Sequence, residues 1–483
     1  MKASLQKLKG GYDSLSITAK ATIWFMICST LQRVILILTT PLFTRLMSTE
    51  QYGQYTVYTS WLQVFTIMTT LRLNAGGFNK AMSKFSDKRD EFVATNQTLT
   101  SILTLFFFII YLIFINQINS LTELGTLVTL SMFVELLFTP AISFWTIRQR
   151  YEYKYRAVVF ITVLIALMNA GLGLAAVLMT PVEKGTARIM SCIVVQIVIG
   201  LVLYIRNYIK SRKIFNLEHA KYAMGFCLPL LPHYLSIYVL DQSDRIMIQK
   251  LCGESDAGIY GVAYSACMVM KIVTESITNA LVPWMYSKLE VEETKDIKKK
   301  IMPLMYIVIL AISIFIAFAP EVIIILAGEN YSQAIYVIPP VTASIFFLFI
   351  YTIFANVEFF FEAKKFTMFV SIVGAVLNII LNYVFIKMFG FVAAGYTTLV
   401  CYMIFAFGHY LYMCIIFRNN KIPNIFSFID LLIPTIVVVA ICVLMSVLYS
   451  FFVIRYVVIL LIVIMCLIFK DKIINIIANI KKK

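Results

Sequence analysis

Long apolar stretches separated by short polar connections follow one another along almost the whole chain. A helix needs about 20 apolar residues to cross the hydrocarbon layer of a membrane, and fourteen stretches reach roughly that length. The predicted transmembrane segments are 21–44, 54–78, 98–116, 122–147, 157–179, 186–205, 223–241, 259–283, 301–326, 334–361, 366–386, 391–416, 430–451 and 454–470. The pattern predicts an all-α integral membrane protein with about fourteen transmembrane helices and no extramembrane catalytic domain.

The composition supports this class and argues against others. Hydrophobic residues make up 61% of the chain and charged residues 14%, whereas soluble domains are about half apolar and a quarter charged. The net charge is +16, but the basic residues lie in short runs between apolar segments, so we expect a membrane protein and no nucleic-acid partner. Eight of the nine cysteines lie in apolar segments, so we expect no disulfide framework, no metal site and no bound cofactor.

The distribution of Lys and Arg predicts the orientation of the chain in the membrane. With a cytoplasmic N-terminus, 31 of the 41 basic residues lie on the inner side, seven at outer ends and three within segments. Inner connections of membrane proteins carry an excess of Lys and Arg, and an even number of helices returns the chain to its starting side. We therefore expect a bacterial cytoplasmic (inner) membrane protein with both termini in the cytoplasm.

Two parts of the sequence resemble each other at an offset of 205 residues. Residues 45–60 align with 250–265, with identities at Leu46/Leu251, Gly53/Gly258, Tyr55/Tyr260, Val57/Val262 and Ser60/Ser265. An offset of six helices preserves orientation, so the repeat predicts two parallel, pseudo-symmetric six-helix bundles with a transporter's central cavity at their interface. The predicted domains are 1–212, 213–417 and a C-terminal helix pair with a basic tail, 418–483.

A stripe of polar residues lies along one face of the second segment, at Thr59, Gln63, Thr66, Thr70 and Asn74. Spacings of three and four place these side chains on one side of a helix. At the repeat offset Thr66 corresponds to Lys271 and Asn74 to Asn279, so the eighth segment carries a charged version of the stripe. The stripe indicates a hydrated cavity face; packing between helices through Thr and Gln is the alternative.

Basic residues within the segments are the first candidates for substrate binding. An Arg or Lys at the centre of a membrane helix costs about 2.5–3.5 kcal/mol on insertion scales, so it usually faces a cavity or a partner. Arg33, Arg72 and Lys271 lie within segments, and Arg245 lies at the end of the seventh. Together they could form a cationic surface for a pyrophosphate. The alternatives are that Arg72 reaches the cytoplasmic interface and that Arg33 and Lys271 form structural ion pairs.

Acidic and amide residues add candidates for ion coupling and sugar binding. The acidic candidates, which could exchange a proton or sodium ion with the substrate charge, are Glu135, Asp241, Glu275 and Glu358. Lys271/Glu275 and Asp241/Arg245 are spaced i,i+4, so each pair could instead neutralise itself. The amide candidates for substrate binding are Asn74, Asn279, Asn378 and Asn382. The last two could contact sugar hydroxyls, and hydrogen bonding between helices is the alternative for them.

Several short segments form a recognisable series along the chain. They are PLFTRL at 41–46, EQYGQY at 50–55, LRLNAGG at 71–77, RQRYEYKYR at 148–156, LPL at 228–230, DRIMI at 244–248, AGIY at 257–260, APE at 319–321 and GENY at 328–331. In these segments the chain resembles one family, the polysaccharide biosynthesis flippases of O-antigen, capsule and related glycans. This family belongs to the multidrug/oligosaccharidyl-lipid/polysaccharide exporter group, and the likeness covers roughly residues 20–420.

The resemblance implies two six-helix bundles in a V shape, alternating access, and a cationic cavity for an undecaprenyl-pyrophosphate-linked sugar. The implied partners are the lipid-linked glycan, membrane lipid and polysaccharide polymerase machinery. A multidrug exporter of the same group and a lipid II flippase are the alternatives. Basic residues deep in the segments favour an anionic substrate, which argues against the multidrug exporter. Nothing in the sequence distinguishes a lipid II flippase from a flippase for another lipid-linked glycan. We do not expect an enzyme, because no nucleophile–base or metal arrangement is visible.

Overall fold

The computed structural model describes residues 16–74 and 77–468, and all regular structure in these ranges is helical. The α-helices in these ranges are α1 (Ile17–Leu46), α2 (Thr49–Thr70), α3 (Gly77–Lys84), α4 (Arg89–Ile113), α5 (Ile115–Thr122), α6 (Thr126–Tyr151), α7 (Tyr155–Met179), α8 (Lys184–Ser211), α9 (Leu217–Cys227), α10 (Leu231–Cys252), α11 (Glu254–Glu290), α12 (Thr294–Ala317), α13 (Ala319–Leu326), α14 (Ile338–Phe360), α15 (Lys364–Phe389), α16 (Val392–Asn419), α17 (Phe428–Leu448) and α18 (Phe452–Ile468).

Each predicted transmembrane segment coincides with a helix or with two consecutive helices. Within the described residues, eleven helical segments are long and apolar enough to cross a membrane. The all-α membrane class is confirmed by these helices, whereas the count of fourteen stays a prediction. Residues 1–15 and 469–483, which contain much of the predicted inner positive charge, lie outside the described residues.

The second predicted segment, 54–78, is not one continuous helix. Helix α2 ends at Thr70, because Leu71 and Arg72 adopt left-handed backbone conformations with φ of 44° and 53°. The Leu71 amide donates to the Ile67 carbonyl and closes the helix end. Leu71 packs into the same apolar cluster as Phe78 of α3, and this packing holds the turn in place.

The two copies of the repeat begin their second helix at equivalent residues. Helix α2 begins at Thr49 and α11 begins at Glu254, 205 residues later. Ser48 caps α2: its hydroxyl accepts from the Gln51 amide, and the Gln51 side chain accepts from the Ser48 amide. Helix α11 instead follows Gly253, whose φ of 104° is a conformation that favours glycine.

The chain divides into two compact units, Met1–Tyr238 and Val239–Lys483, here called the first and the second unit. The division falls after Tyr238, whereas the predicted boundary lies between 212 and 213. Helix α9 belongs to the first unit because Ala223 and Cys227 pack into the apolar cluster around Phe78. The two six-helix bundles and the separate C-terminal pair stay a prediction.

The connection between α6 and α7 carries a small ion-pair network. Lys154 Nζ donates to Glu152 Oε2 at 2.6 Å, and Arg148 Nε donates to Glu152 Oε1 at 3.3 Å. Arg148 also pairs with Asp90 at the start of α4. Burial raises the pKa of Glu152, but the hydrogen bonds and charges of Lys154 and Arg148 outweigh it, so its pKa is lowered overall.

Candidate functional site

The first unit contains a cavity of about 60 Å³ between α2, the turn that follows it, and α6. Its lining residues are Leu62, Thr66, Thr70, Asn74, Glu135, Leu136, Thr139, Pro140, Ser143 and Phe144. Three members of the predicted polar stripe therefore face the same cavity as the candidate carboxylate Glu135. Tyr58, two turns before Thr66 on α2, donates its hydroxyl to Glu135 Oε2 at 2.5 Å.

Several oxygen atoms of this cavity can still accept a hydrogen bond. The hydroxyls of Thr66 and Thr70 donate back to their own helix, at 2.6 Å in each case. Thr70 Oγ1 also accepts from the Arg72 amide at 3.3 Å, so each hydroxyl keeps at least one lone pair available. Asn74 Oδ1 and Thr139 Oγ1 are buried and have no hydrogen-bond partner among the described residues. The lining is therefore mostly apolar, with a few oxygen acceptors and one carboxylate in it.

The second unit contains a smaller cavity, of about 20 Å³, lined by α11 and its neighbours. Its lining residues are Leu240, Tyr264, Cys267, Met268, Lys271, Val341, Ser344, Ile345, Leu348, Thr398 and Tyr402. Lys271 Nζ donates to Asp241 Oδ1 at 3.4 Å, and the Tyr264 hydroxyl donates to the same oxygen at 2.5 Å. The structure therefore brings a candidate cation and a candidate carboxylate together at this cavity.

Arg245 joins this group through Tyr264. The guanidinium lies 4.1 Å from the centroid of the Tyr264 ring, and its Nη1 donates to Gln242 Oε1 at 2.5 Å. Lys271 pairs across helices with Asp241, so this contact is not one of the two i,i+4 pairs considered from the sequence. Glu275 lies one turn after Lys271 on α11, half-buried, and its role in ion coupling stays a prediction.

The two cavities occupy equivalent places in the two copies of the repeat. Adding 205 to six of the residues that line the first cavity gives six residues that line the second. These pairs are Leu62/Cys267, Thr66/Lys271, Leu136/Val341, Thr139/Ser344, Pro140/Ile345 and Ser143/Leu348. The repeat, found from identities near residues 45–60, therefore extends to the interior of each unit.

Arg72 is held by two aromatic rings within the first unit. Its guanidinium carbon lies 5.5 Å from the ring centroid of Tyr234 and 5.4 Å from that of Tyr238. Nη1 donates to the Tyr238 hydroxyl at 2.9 Å, while Nε is buried without a partner among the described residues. The left-handed turn and the two rings together fix the position of this cation.

Two other predicted binding residues are less well placed by the structure. Arg33 belongs to helix α1, but its side chain lies outside the described residues. Asn279 lies on α11 and is exposed, whereas its repeat partner Asn74 is half-buried at the first cavity. Roles for Arg33, Asn74 and Asn279 in substrate binding stay predictions.

Asn378 and Asn382 are fully buried and bond to other helices of the second unit. Asn382 Nδ2 donates to Asp244 Oδ1 at 2.6 Å, and Ser243 donates to Asn378 Oδ1 at 2.7 Å. Asp244 also accepts from Tyr260 and Thr398, each at 2.7 Å. These are the hydrogen bonds between helices considered from the sequence, and contact with sugar hydroxyls stays a prediction.

Glu358, the last acidic candidate, forms a fully buried pair with His409. Glu358 Oε1 lies 2.7 Å from His409 Nδ1, and neither side chain is exposed to solvent. The ring of Tyr351 packs against the imidazole at 4.7 Å between centroids. The Glu358 carboxyl therefore has a partner inside the second unit, and its role in ion coupling stays a prediction.

The sequence profile of the polysaccharide biosynthesis protein family matches residues 18–290. This region is more than half of the 483 residues. The chain belongs to the polysaccharide biosynthesis protein family. The predicted family is confirmed by this match.

Relatives of this family member occur in Haemophilus influenzae. Protein 1 of the Lsg locus is 24% identical over 290 residues, which are 56% of this chain and 66% of the relative. An uncharacterized membrane protein is 24% identical over 136 residues, 27% of this chain and 33% of the relative. The chain therefore spans less than two thirds of the length of the relatives that it matches.

Solved transporter structures share the fold of this polysaccharide biosynthesis protein. The lipid II flippase MurJ in an inward closed conformation superposes with a TM-score of 0.68 at 14% identity, covering 93% of this chain and 100% of MurJ. An inward-facing multidrug resistance transporter of the MATE family, in the MOP superfamily, gives 0.59 at 14% identity, covering 83% and 99%. The protein is thus a multi-pass membrane protein with the fold of these transporters.

Sequence reasoning missed four polar residues of this family member. Tyr58 bonds Glu135, Tyr264 bonds Asp241, and His409 pairs with Glu358, but each partner is 23 or more residues away along the chain. Asp244 lies in a recognised motif, yet nothing nearby in sequence indicates its three donors. Two of the four carried a usable signal. Tyr58 precedes Leu62, Thr66 and Thr70 at a constant spacing of four, and Tyr264 corresponds to Thr59 of the polar stripe at the repeat offset.

Proposed function

We propose that this protein is a flippase that moves a polyprenyl-pyrophosphate-linked oligosaccharide from the inner to the outer leaflet of the bacterial cytoplasmic membrane. The glycan would serve surface polysaccharide biosynthesis, with polymerase machinery as a downstream partner. The family and the transporter fold support this class of function. The excess of basic residues in the predicted inner connections supports cytoplasmic termini.

The observation that carries the proposal is the charged group around Tyr264 in the second unit. Arg245 and Lys271 lie on helices that are apolar enough to cross a membrane, where a cation is costly unless it has a partner or a ligand. The Lys271 side chain is 24% exposed, so it remains reachable although it contacts Asp241. Arg and Lys bind phosphate oxygens through strong charge-assisted hydrogen bonds, and a pyrophosphate would displace the carboxylate from such a pair.

Moving a glycan head group across the membrane requires a hydrated, charged interior in the protein. A glycan head group cannot cross hydrocarbon unaided, because each unpaired polar group costs several kcal/mol there. Polar cavity walls that open to one side at a time remove this barrier, while the lipid tail stays in the bilayer. An H⁺ or Na⁺ gradient would drive the cycle, and the candidate coupling carboxylates are Asp241, Glu275, Glu135 and Glu358.

Complementation tests this function. The chain is expressed in a bacterium that lacks its own glycan flippase, and surface glycan is measured by labelling of intact cells. We expect glycan to return with the wild type and to be lost with Lys271→Ala. Lys387→Ala, at the exposed end of α15, is the matched control and should rescue fully.

Two results would move the protein to an alternative function. The wild type could fail to restore glycan but lower the sensitivity of the cells to cationic drugs, which would indicate a multidrug exporter. It could instead rescue a strain depleted of its lipid II flippase while leaving surface glycan absent, which would indicate lipid II as substrate. Either result would contradict the proposed glycan substrate.

A further inference from the structure

A groove of about 630 Å³ runs along the first half of α7, beside the start of α1. Its lining includes Trp24 of α1 and, on α7, Tyr155, Arg156, Phe160, Val163 and Leu167. The groove is open to its surroundings, since the side chains of Phe160 and Leu167 are 65% and 57% exposed. None of its lining residues lines either interior cavity. It is therefore a separate feature of the first unit, and the proposed flippase function makes no use of it.

The position and length of the groove match one leaflet of a membrane. Helix α7 is the least buried of the eleven described segments that are long and apolar enough to cross a membrane. From Tyr155 to Leu167 the helix rises by about 18 Å. One leaflet contributes about 15 Å of hydrocarbon, which is half of the apolar layer. The groove therefore has the length of one acyl chain and lies within a single leaflet.

Two stacked aromatic rings lie at the end of the groove where α7 begins. The rings of Trp24 and Tyr155 have centroids 6.3 Å apart and planes 5° from parallel. Trp and Tyr are enriched where a membrane meets water, so this end lies at the level of the lipid head groups. The connection that precedes α7 is predicted to be cytoplasmic, so the leaflet is the predicted inner one.

Basic side chains are gathered at the same end. Arg156 is exposed and forms no ion pair with another described residue. Arg150 is exposed too and, within the described ranges, also lacks an ion pair; its guanidinium carbon lies 5.5 Å from the centroid of the Phe25 ring on α1. Glu152, the carboxylate of this connection, is already paired with Lys154. Two guanidinium groups therefore attract an anion to the head-group end of the groove.

These features favour an anionic phospholipid over other lipids. Arginine binds phosphate oxygens through charge-assisted hydrogen bonds, and basic pockets at the cytoplasmic ends of membrane helices bind anionic head groups. A zwitterionic lipid carries its own cation, which two guanidinium groups would repel. The polyprenyl chain of a glycan carrier is much longer than the groove, whereas an acyl chain matches it.

We propose that this groove binds one anionic phospholipid of the inner leaflet. The phosphate lies at Arg156, with Arg150 adding positive charge, and one acyl chain follows α7 past Val163 to Leu167. The bound lipid fills the space between the start of α1 and α7. Binding needs only a membrane lipid, so the proposal does not depend on the proposed flippase function.

Native mass spectrometry of the purified full-length chain tests the head-group contact. The chain is freed of lipid in detergent and titrated with phosphatidylglycerol or with phosphatidylcholine of the same acyl chains. We expect one phosphatidylglycerol per chain to bind about tenfold more tightly than phosphatidylcholine. Arg156→Gln should remove this preference. Arg418→Gln is the matched control, because Arg418 is an exposed arginine at the predicted inner end of α16, and it should keep the preference.

A second pair of variants tests the acyl-chain contact. Val163→Trp fills the groove without a change of charge and should weaken phosphatidylglycerol binding by about tenfold. Leu178→Trp adds a tryptophan at a 63% exposed position of the same helix, outside the groove lining, and should bind as the wild type does.

Photocrosslinking of the wild type locates the lipid without any variant. Phosphatidylglycerol with a diazirine midway along one acyl chain is bound to the full-length chain, and the labelled peptide is identified by mass spectrometry. We expect the label between residues 160 and 167. A label spread over the exposed faces of several helices would overturn the proposed acyl-chain position.

The binding results distinguish this site from ordinary contact with membrane lipid. Equal binding of the two lipids by the wild type would overturn the proposal, and so would unchanged binding in both Arg156→Gln and Val163→Trp. Loss in only one of these variants would also contradict it, because the proposed lipid needs both the head-group and the acyl-chain contacts. Displacement of phosphatidylglycerol by an equimolar polyprenyl phosphate would make the glycan carrier the occupant in place of a phospholipid.

Discussion

Asp241 and Lys271 provide a quantitative test of the charged group in the second unit. Their charged atoms lie 3.4 Å apart, and the two side chains are 23% and 24% exposed. At an effective dielectric constant of about 20, unit charges at this distance attract by about 5 kcal/mol, and in water by about 1 kcal/mol. Partial exposure and the remaining donors to Asp241 place the net coupling between these limits, so we expect about 2 kcal/mol.

A double-mutant cycle measures this coupling. Asp241→Asn, Lys271→Met and the double variant are unfolded with SDS in mixed micelles, and tryptophan fluorescence reports the free energy of unfolding. Each single variant should lose about 2 kcal/mol, because each loses the same contact. The double variant should lose about as much as either single variant, since the contact can be lost only once.

The same variants separate stability from transport. If the pair serves only the fold, the double variant should restore surface glycan about as well as its stability permits. If the cation binds substrate, the double variant should fold as well as either single variant and still fail to restore glycan. Strictly additive losses in the cycle, within about 0.5 kcal/mol, would refute the reasoning from this distance.

Three further predictions concern other parts of the chain. Arg72→Lys keeps the charge but loses the guanidinium's contacts with the Tyr234 and Tyr238 rings and its hydrogen bond to the Tyr238 hydroxyl, so we expect about a tenfold loss of glycan transport at normal expression. Gly374→Ala should cost about 1–3 kcal/mol in the unfolding assay because its Cβ would overlap the Phe405 ring, whereas Gly408→Ala, with open space around it, should be neutral or stabilising by about 0.5 kcal/mol. The lowered pKa of Glu152 means that its contribution to stability is present above the ordinary glutamate pKa and is lost as pH falls through the lowered value. Glu152→Gln should therefore be less sensitive than the wild type to acidification from about pH 5 to about pH 3.

The positions of the helices follow from local patterns in the sequence. Apolar length predicts most of the helices, and the Ser48-to-Gln51 capping box specifies the start of α2. The stripe at Thr66, Thr70 and Asn74 follows from helical periodicity, and all three side chains line the first cavity. These features depend on residues within one or two turns of each other, which is why sequence alone reveals them.

The contacts that define the candidate sites depend on distant residues. The hydrogen bond from Tyr58 to Glu135 joins positions 77 apart, and the bond from Thr398 to Asp244 joins positions 154 apart. Without knowledge of which helices are neighbours, the nearer i,i+4 partner of Lys271 is the natural choice. The helix end after Thr70 is equally hidden, because neither Leu71 nor Arg72 favours a left-handed backbone.

The second helix of the repeat is interrupted in the first copy and continuous in the second copy. Helix α11 runs unbroken for 37 residues, about 55 Å, through the positions equivalent to the break after α2. Because this helix continues through these positions, one residue inserted between 276 and 281 would rotate every later side chain of α11 by about 100°. An insertion at 71–72, where the backbone has already left the helix, would not be transmitted along a continuous helix. The offset between the copies is nevertheless 205 residues both before the break, at Gly53/Gly258, and after it, at Ser143/Leu348, so the two copies have kept the same length across this point.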